Sequence, residues 1–264
     1  FLLTPKETKE SLSHDPAGNF PSFCRYKIKT AVVNQDHLGL FRPDGKVVAI
    51  KWIDGSKEEI TLNAPKGMAI AGNNLFVADI NQIQVFSLPD GRQKASIALE
   101  GSTFLNGMAS GGPDNSVYVT DSGLSKDMKP SGTDAVYQVW ANGKYEAILQ
   151  DKEMGHPNGI WHDKDKLIVN TWGSGELFSI NSAGQRTNMP KPPAGGLDGL
   201  VRLNDGRLIV SSWKGSALYA LKKNGLFTVL AKRLVSPADI GVDSKRNRLL
   251  LPFFKEDKVF ILQY

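Results

Sequence analysis

Two stretches of this chain are near-copies of each other. PNGIWHDKDKLIVNTWGSGELFSINSAG, from Pro157, and LDGLVRLNDGRLIVSSWKGSALYALKKNG, from Leu197, follow one plan. A polar residue precedes Gly, an apolar run follows (LIVNTW or LIVSSW), and a small-residue turn leads to a second apolar run. The plan returns in PKGMAIAGNNLFVADINQIQVFSLPDG from Pro65, LNGMASGGPDNSVYVTDSG from Leu105 and PADIGVDSKRNRLLLPFF from Pro237. KESLSHDPAGNF, Lys9 to Phe20, reads as a degraded first copy. A period of roughly 40 to 50 residues marks a chain built by stacking one supersecondary unit. An insertion at Gly123–Ala135 and an irregular stretch at Pro21–Asp36 lengthen two of the intervals.

Each unit reads as short strands rich in Val, Ile, Leu, Phe and Tyr, parted by turns such as PDGK, NGK, PDGR, NDGR and KNG. Helical periodicity is nowhere sustained. Units of about four short strands predict an all-β fold, a six-bladed β-propeller forming a single domain over residues 1–264. A β-sandwich uses similar strands but does not predict the repeat. The N-terminal FLLTPK is expected to supply the outer strand of the last blade, beside KVFILQY, which joins the chain ends and removes an open edge.

Composition narrows the function classes. The net charge of +5 comes from basic residues scattered as Lys27 and Lys29, Lys222 and Lys223, and Lys245 and Arg246. No cationic run or basic helix emerges, so nucleic acid is not an expected partner. The single cysteine, Cys24, excludes an internal disulfide and a cysteine zinc cluster. No apolar stretch reaches the ~18 residues of a membrane span. No P-loop and no GxGxxG ahead of a helix indicate a nucleotide, and no GxSxG marks a nucleophile elbow. A monomer acting on a small molecule is the expectation.

In a propeller the innermost strand of each blade lines the central channel, and its first residues face one end. The residues in second place in each unit, Glu10, Lys66, Asn106, Asn158, Asp198 and Ala238, are therefore predicted to form a ring. Five of the six are polar. Their carboxylate and amide oxygens are hard donors suited to Ca²⁺, Mg²⁺ or Mn²⁺. Trp172 and Trp213 end equivalent strands in adjacent blades, where they either line the funnel or pack between blades. Asp79 and Asp121 end the matching strands earlier and read as turn caps. His156 is placed to reach the funnel, and His162 points to a blade interface.

HPNGIWHD, GLDGLVRLNDGRLIVSSW and APKGMAIAGNNLFVADI resemble the gluconolactonase/regucalcin (senescence marker protein) family of six-bladed propellers, in the NHL-like group. The similarity extends over Pro65–Tyr264. The resemblance implies a divalent metal, Ca²⁺ first with Mg²⁺, Mn²⁺ or Zn²⁺ as alternatives, held by Glu10, Asn158 and Asp198, with Asn106 as an accessory group. It also implies a metal-dependent hydrolase of a lactone or related small ester. In that reading Asp198 is ligand and general base, Asn106 and Lys66 stabilise the oxyanion, and Trp172, Trp213 and His156 contact substrate. The alternative is a non-catalytic propeller that binds a small molecule or a protein, with Lys66 paired to Glu10 in place of a metal. The resemblance, with a chain opening on Phe1 rather than Met, makes a periplasmic or secreted protein the expectation.

Overall fold

The computed structural model describes the backbone of residues 7–8, 12–13, 22–28, 37–42, 46–256 and 258–264, with side chains described from His37 onward except at 41 and 258. Glu10 and the FLLTPK segment lie outside the described residues. The fold is all-β. A first sheet contains β1 (Glu7–Thr8), β2 (Leu12–Ser13), β3 (Ser22–Ile28), β4 (His37–Phe41) and β5 (Val47–Asp54). The next sheet takes β6 (Pro65–Ala71), β7 (Asn74–Asp79), β8 (Gln82–Ser87) and β9 (Gln93–Ala98) in order. It is followed by β10 (Leu105–Ala109), β11 (Val117–Asp121), β12 (Ala135–Val139) and β13 (Tyr145–Gln150). Then come β14 (Pro157–Asp163), β15 (Lys166–Thr171), β16 (Leu177–Asn181) and β17 (Arg186–Asn188). A further sheet holds β18 (Leu197–Arg202), β19 (Leu208–Ser212), β20 (Ala217–Leu221) and β21 (Phe227–Lys232), and the chain ends in β22 (Gly241–Asp243), β23 (Arg248–Phe253) and β24 (Lys258–Gln263).

The propeller has five blades among the described residues, not the six that the repeat predicts. Five sheets reach the four strands of a full blade. The last repeat unit yields only the three-stranded sheet β22–β24. Two local causes are visible. Its inner strand starts late, because Pro237 makes only an isolated bridge to Phe253 and regular pairing begins at Gly241. The described strand nearest the N-terminus, β1, pairs with β3 rather than with β24.

Burial explains the strand order within a blade. The second strands are covered on both faces, with β7, β11, β15 and β19 almost entirely buried, apolar along most of their length and polar at their ends. The outer strands β9, β13 and β21 are half exposed. The apolar core accordingly lies between blades rather than at one centre. Phe76, Val85 and Ile97 of one blade meet Val117, Val119 and Tyr137 of the next, and Val201, Ile209 and Leu218 meet Val242, Leu249 and Leu251. Phe76, Phe86 and Phe178 are fully buried.

Candidate functional site

Four inner strands, β6, β10, β14 and β18, open with a register shift. The bulge falls between Pro65 and Met68, Leu105 and Met108, Pro157 and Ile160, and Leu197 and Leu200. The polar residue and glycine of the repeat occupy these bulges, and the glycine has a packing reason. A Cβ on Gly67 would lie 2.3 Å from the Asn106 carbonyl oxygen, and on Gly107 2.3 Å from that of Asn158. On Gly159 it would lie 2.2 Å from the Asp198 carbonyl, and on Gly199 2.2 Å from the Ile240 nitrogen. The innermost strands touch through backbone at this point, and only hydrogen fits between them.

The bulge also takes the glycine N–H out of the strand ladder, where a buried donor needs a partner. A polar side chain of the second strand supplies it. Gly107 N–H donates to Thr120 Oγ1 (3.0 Å), Gly159 N–H to Asn170 Oδ1 (2.9 Å) and Gly199 N–H to Ser211 Oγ (2.7 Å). Each side chain then donates to the next blade. Thr120 Oγ1 reaches the Asn158 carbonyl (2.7 Å), Asn170 Nδ2 that of Asp198 (2.9 Å), and Ser211 Oγ that of Ala238 (2.9 Å). One clasp thus fixes the backbone of the ring residue in the following blade and aims its side chain.

Five of the six residues expected to form the ring, Lys66, Asn106, Asn158, Asp198 and Ala238, do line one cavity of ≈ 670 Å³ at the mouth of the channel. A second ring stands above them. Ile80, Ser122, Trp172, Trp213 and Phe254 each follow the last residue of a second strand, or its equivalent, and all line the same cavity. The sequence pointed to the two tryptophans only. Ile80, Ser122 and Phe254 occupy the same repeat offset and would have been found by extending it to every unit, but an apolar residue beside a strand reads as core. Phe104 and Asp239 also line the cavity.

The polar contacts are specific. Asp198 Oδ2 accepts the Trp213 indole N–H at 2.9 Å, and the two indoles meet edge to face with centroids 5.0 Å apart. Phe254 packs on the other side of Trp213, with centroids 5.1 Å apart. Trp172 and Trp213 therefore serve both expected roles, packing between blades and lining the funnel. The Lys66 ammonium lies 4.3 Å from the centroid of the Phe104 ring, a cation–π contact that keeps the charge at the cavity wall. Asn106 Nδ2 donates to Ser122 Oγ (3.0 Å), and Asn158 Nδ2 to the Leu197 carbonyl (3.3 Å).

The implied metal site is testable on these donors. Asn158 and Asp198 offer hard oxygens to one cavity, but Ca²⁺ takes six to eight. Lys66 lines the same cavity, and an ammonium there opposes a second cation. Among the described residues no group of three or more His, Cys, Asp or Glu is arranged to hold a metal. The described residues do not by themselves make up a divalent site.

His156 does not line the cavity. Its Nδ1–H donates to the Ser122 carbonyl (2.8 Å) and lies 3.5 Å from Asp134 Oδ1, behind the wall. Asp134 Oδ2 accepts the His156 backbone N–H (2.7 Å), and burial pushes the Asp134 carboxyl above its usual range. His162 stacks on Tyr118 with centroids 5.1 Å apart, a structural contact. Asp79 and Asp121 are caps, as read from sequence. Asp79 accepts the N–H groups of Asn63 and Ala64, and Asp121 those of Thr103, Phe104 and Gly123, holding the chain that enters each inner strand. The insertion after Asp121 forms a small hairpin closed by the Leu124–Pro130 bridge, and its Leu124, Lys126 and Met128 line the cavity.

A channel-mouth cavity with a polar floor and an aromatic rim sits on blades joined through backbone contacts, and the fold is a β-propeller. Solved structures with this fold include a gluconolactonase from Xanthomonas campestris, at TM-score 0.72 and 16% identity, covering 98% of this chain and 86% of that one. They also include a catalytically inactive virginiamycin B lyase from Staphylococcus aureus with quinupristin, at TM-score 0.68 and 14% identity, covering 100% and 97%. A chain of the nidogen/laminin complex follows at TM-score 0.64 and 17% identity, covering 84% and 78%. At these identities the likeness is one of fold, and a shared fold does not fix function. No protein-family model and no curated protein matches the sequence. No helix among the described residues is long and apolar enough to cross a membrane.

Proposed function

We propose that the cavity is the active site of a hydrolase or lyase that opens a small cyclic ester. The observation that carries this reading is the convergence of Lys66, Asn106, Asn158 and Asp198, from four separate blades, on one cavity roofed by Trp172 and Trp213. Structural repeats need no such mixture of charge and amide at the channel mouth. Two of the structural neighbours, the gluconolactonase and the virginiamycin B lyase, are named as enzymes of these two reaction types.

For a lactone, each group has a chemical task. Asp198, oriented by the Trp213 indole N–H that it accepts, is the carboxylate assigned to take a proton from attacking water. The water oxygen bonds to the ester carbonyl carbon, and negative charge moves onto the carbonyl oxygen. The Lys66 ammonium and the side chain of Asn106 are the groups that stabilise that charge. Collapse of the tetrahedral intermediate breaks the ring C–O bond, and the proton held by Asp198 passes to the departing alkoxide. The product is the open hydroxy acid. Trp172 and Trp213 offer the ring of the substrate an apolar surface at the cavity wall.

The test is hydrolysis of a panel of lactones by wild type and Asp198→Ala. Loss of a general base lowers kcat by about 10²- to 10⁴-fold. Unchanged turnover in the variant removes Asp198 from the mechanism. Activity that EDTA abolishes and Ca²⁺ restores would show that an ion completes the site. Absence of turnover on any lactone favours the binding reading, in which the same cavity holds a small molecule without changing it.

A further inference from the structure

We infer that the substrate carries an apolar, ring-sized body beside its ester, and that Ile80 and Met128 select it; this rests on the reading of the cavity as a cyclic-ester site. Two observations converge. The outer part of the cavity is largely apolar, with Ile80, Leu124, Met128, Trp172 and Phe254 standing above the polar floor and the charged Lys126 set among them. The two aliphatic residues nearest solvent are held in a costly way. Ile80 is 44% exposed at φ +61°, and Met128 is 55% exposed at φ +61°.

The left-handed region suits Gly or Asn, and a β-branched residue there is a true outlier. An exposed isoleucine gains little by burial to offset it. Both backbones are nevertheless pinned. The Ile80 carbonyl accepts the Leu105 N–H (2.7 Å), and the Met128 N–H donates to the Ser125 carbonyl (2.9 Å). The turns would tolerate polar residues at least as well, so the apolar side chains answer to something that enters the cavity. Exposed large hydrophobics facing a concave aromatic wall are what an apolar ligand surface requires. A polyhydroxylated sugar lactone would bring hydroxyl groups against this collar and leave them unpaired.

The test separates binding from turnover by using lactams, which keep the ring shape and resist hydrolysis. Calorimetry compares 3,4-dihydroquinolin-2-one, a benzo-fused lactam, with gluconolactam. The fused lactam is expected to bind at least about tenfold more tightly. Ile80→Asn and Met128→Ser, each alone, are expected to weaken it about fivefold and to leave gluconolactam within about twofold. Ile80→Asn is also expected to raise the thermal midpoint, since Asn accepts the left-handed conformation. Equal or tighter binding of the sugar lactam, or variants that leave the fused lactam within twofold, overturns the inference, as does binding of neither. Dihydrocoumarin and glucono-1,5-lactone supply the turnover arm. If the collar binds the fused lactam and neither ester is opened, the proposed function fails and what stands of this inference is the selection of an apolar ring by Ile80 and Met128. If both esters are opened without preference and the variants are silent, the reverse holds.

Discussion

The blade β14–β17 and the terminal sheet β22–β24 start from the same repeat position and diverge within two residues. Pro157-Asn158-Gly159 enters a bulged inner strand at once, and its glycine lies against the Asp198 carbonyl of the next blade. Pro237-Ala238-Asp239 does not. Asp239 stands in the glycine slot, lines the cavity, and regular pairing waits until Gly241. The comparison separates the two halves of the doublet. Glycine is present where the inner strand must touch its neighbour through backbone. The residue before it faces the cavity and is free to be Lys, Asn, Asp or Ala.

That separation can be broken most forcefully at Gly159. Gly159→Ala places a methyl group 2.2 Å from a backbone oxygen that the clasp holds in place. A cost of about 3 kcal/mol or more is expected in denaturant unfolding, by overpacking against main chain. A cost below about 1 kcal/mol would mean that the inner strands part easily and that the glycine is incidental. Asn170→Ala is the next test. It strips the partner from the buried Gly159 N–H and the donor from the Asp198 carbonyl, for an expected loss of about 1–3 kcal/mol. Because that carbonyl belongs to the proposed base, a fall in kcat should accompany the loss of stability. The smallest expected effect is in the blade β6–β9, where Ala78 holds the slot of Thr120, Asn170 and Ser211. Ala78→Ser offers a hydroxyl between Gly67 and Asn106, and a gain under about 1 kcal/mol is expected. A loss of more than that would show that this blade closes on its neighbour by apolar packing alone.

Much of this was legible in the sequence because it repeats. The all-β class and the convergence of Lys66, Asn106, Asn158 and Asp198 follow from one period applied to the whole chain. The blade count did not follow, because a period counts units and not strands: Pro237–Tyr264 keeps the pattern of a unit while furnishing three strands. His156 looked like a funnel residue from its place before Pro157. Its left-handed backbone, at φ +61°, instead turns the ring toward Ser122 and Asp134. The outer ring was half hidden for a different reason. A tryptophan at a strand end draws attention, whereas Ile80 and Phe254 at the same offset look like ordinary core, and exposure is not written in a single letter.

The clasp has a consequence for how such a protein can change. Thr120, Asn170 and Ser211 grip main-chain atoms and make no use of the neighbouring ring side chain. The framework therefore has no memory of which reagent it presents. A new side chain can be exchanged at Asn158, Asp198 or Ala238 without renegotiating the joint that aims it. The molecule is a turret with interchangeable tools, and its chemistry is open to retooling one blade at a time.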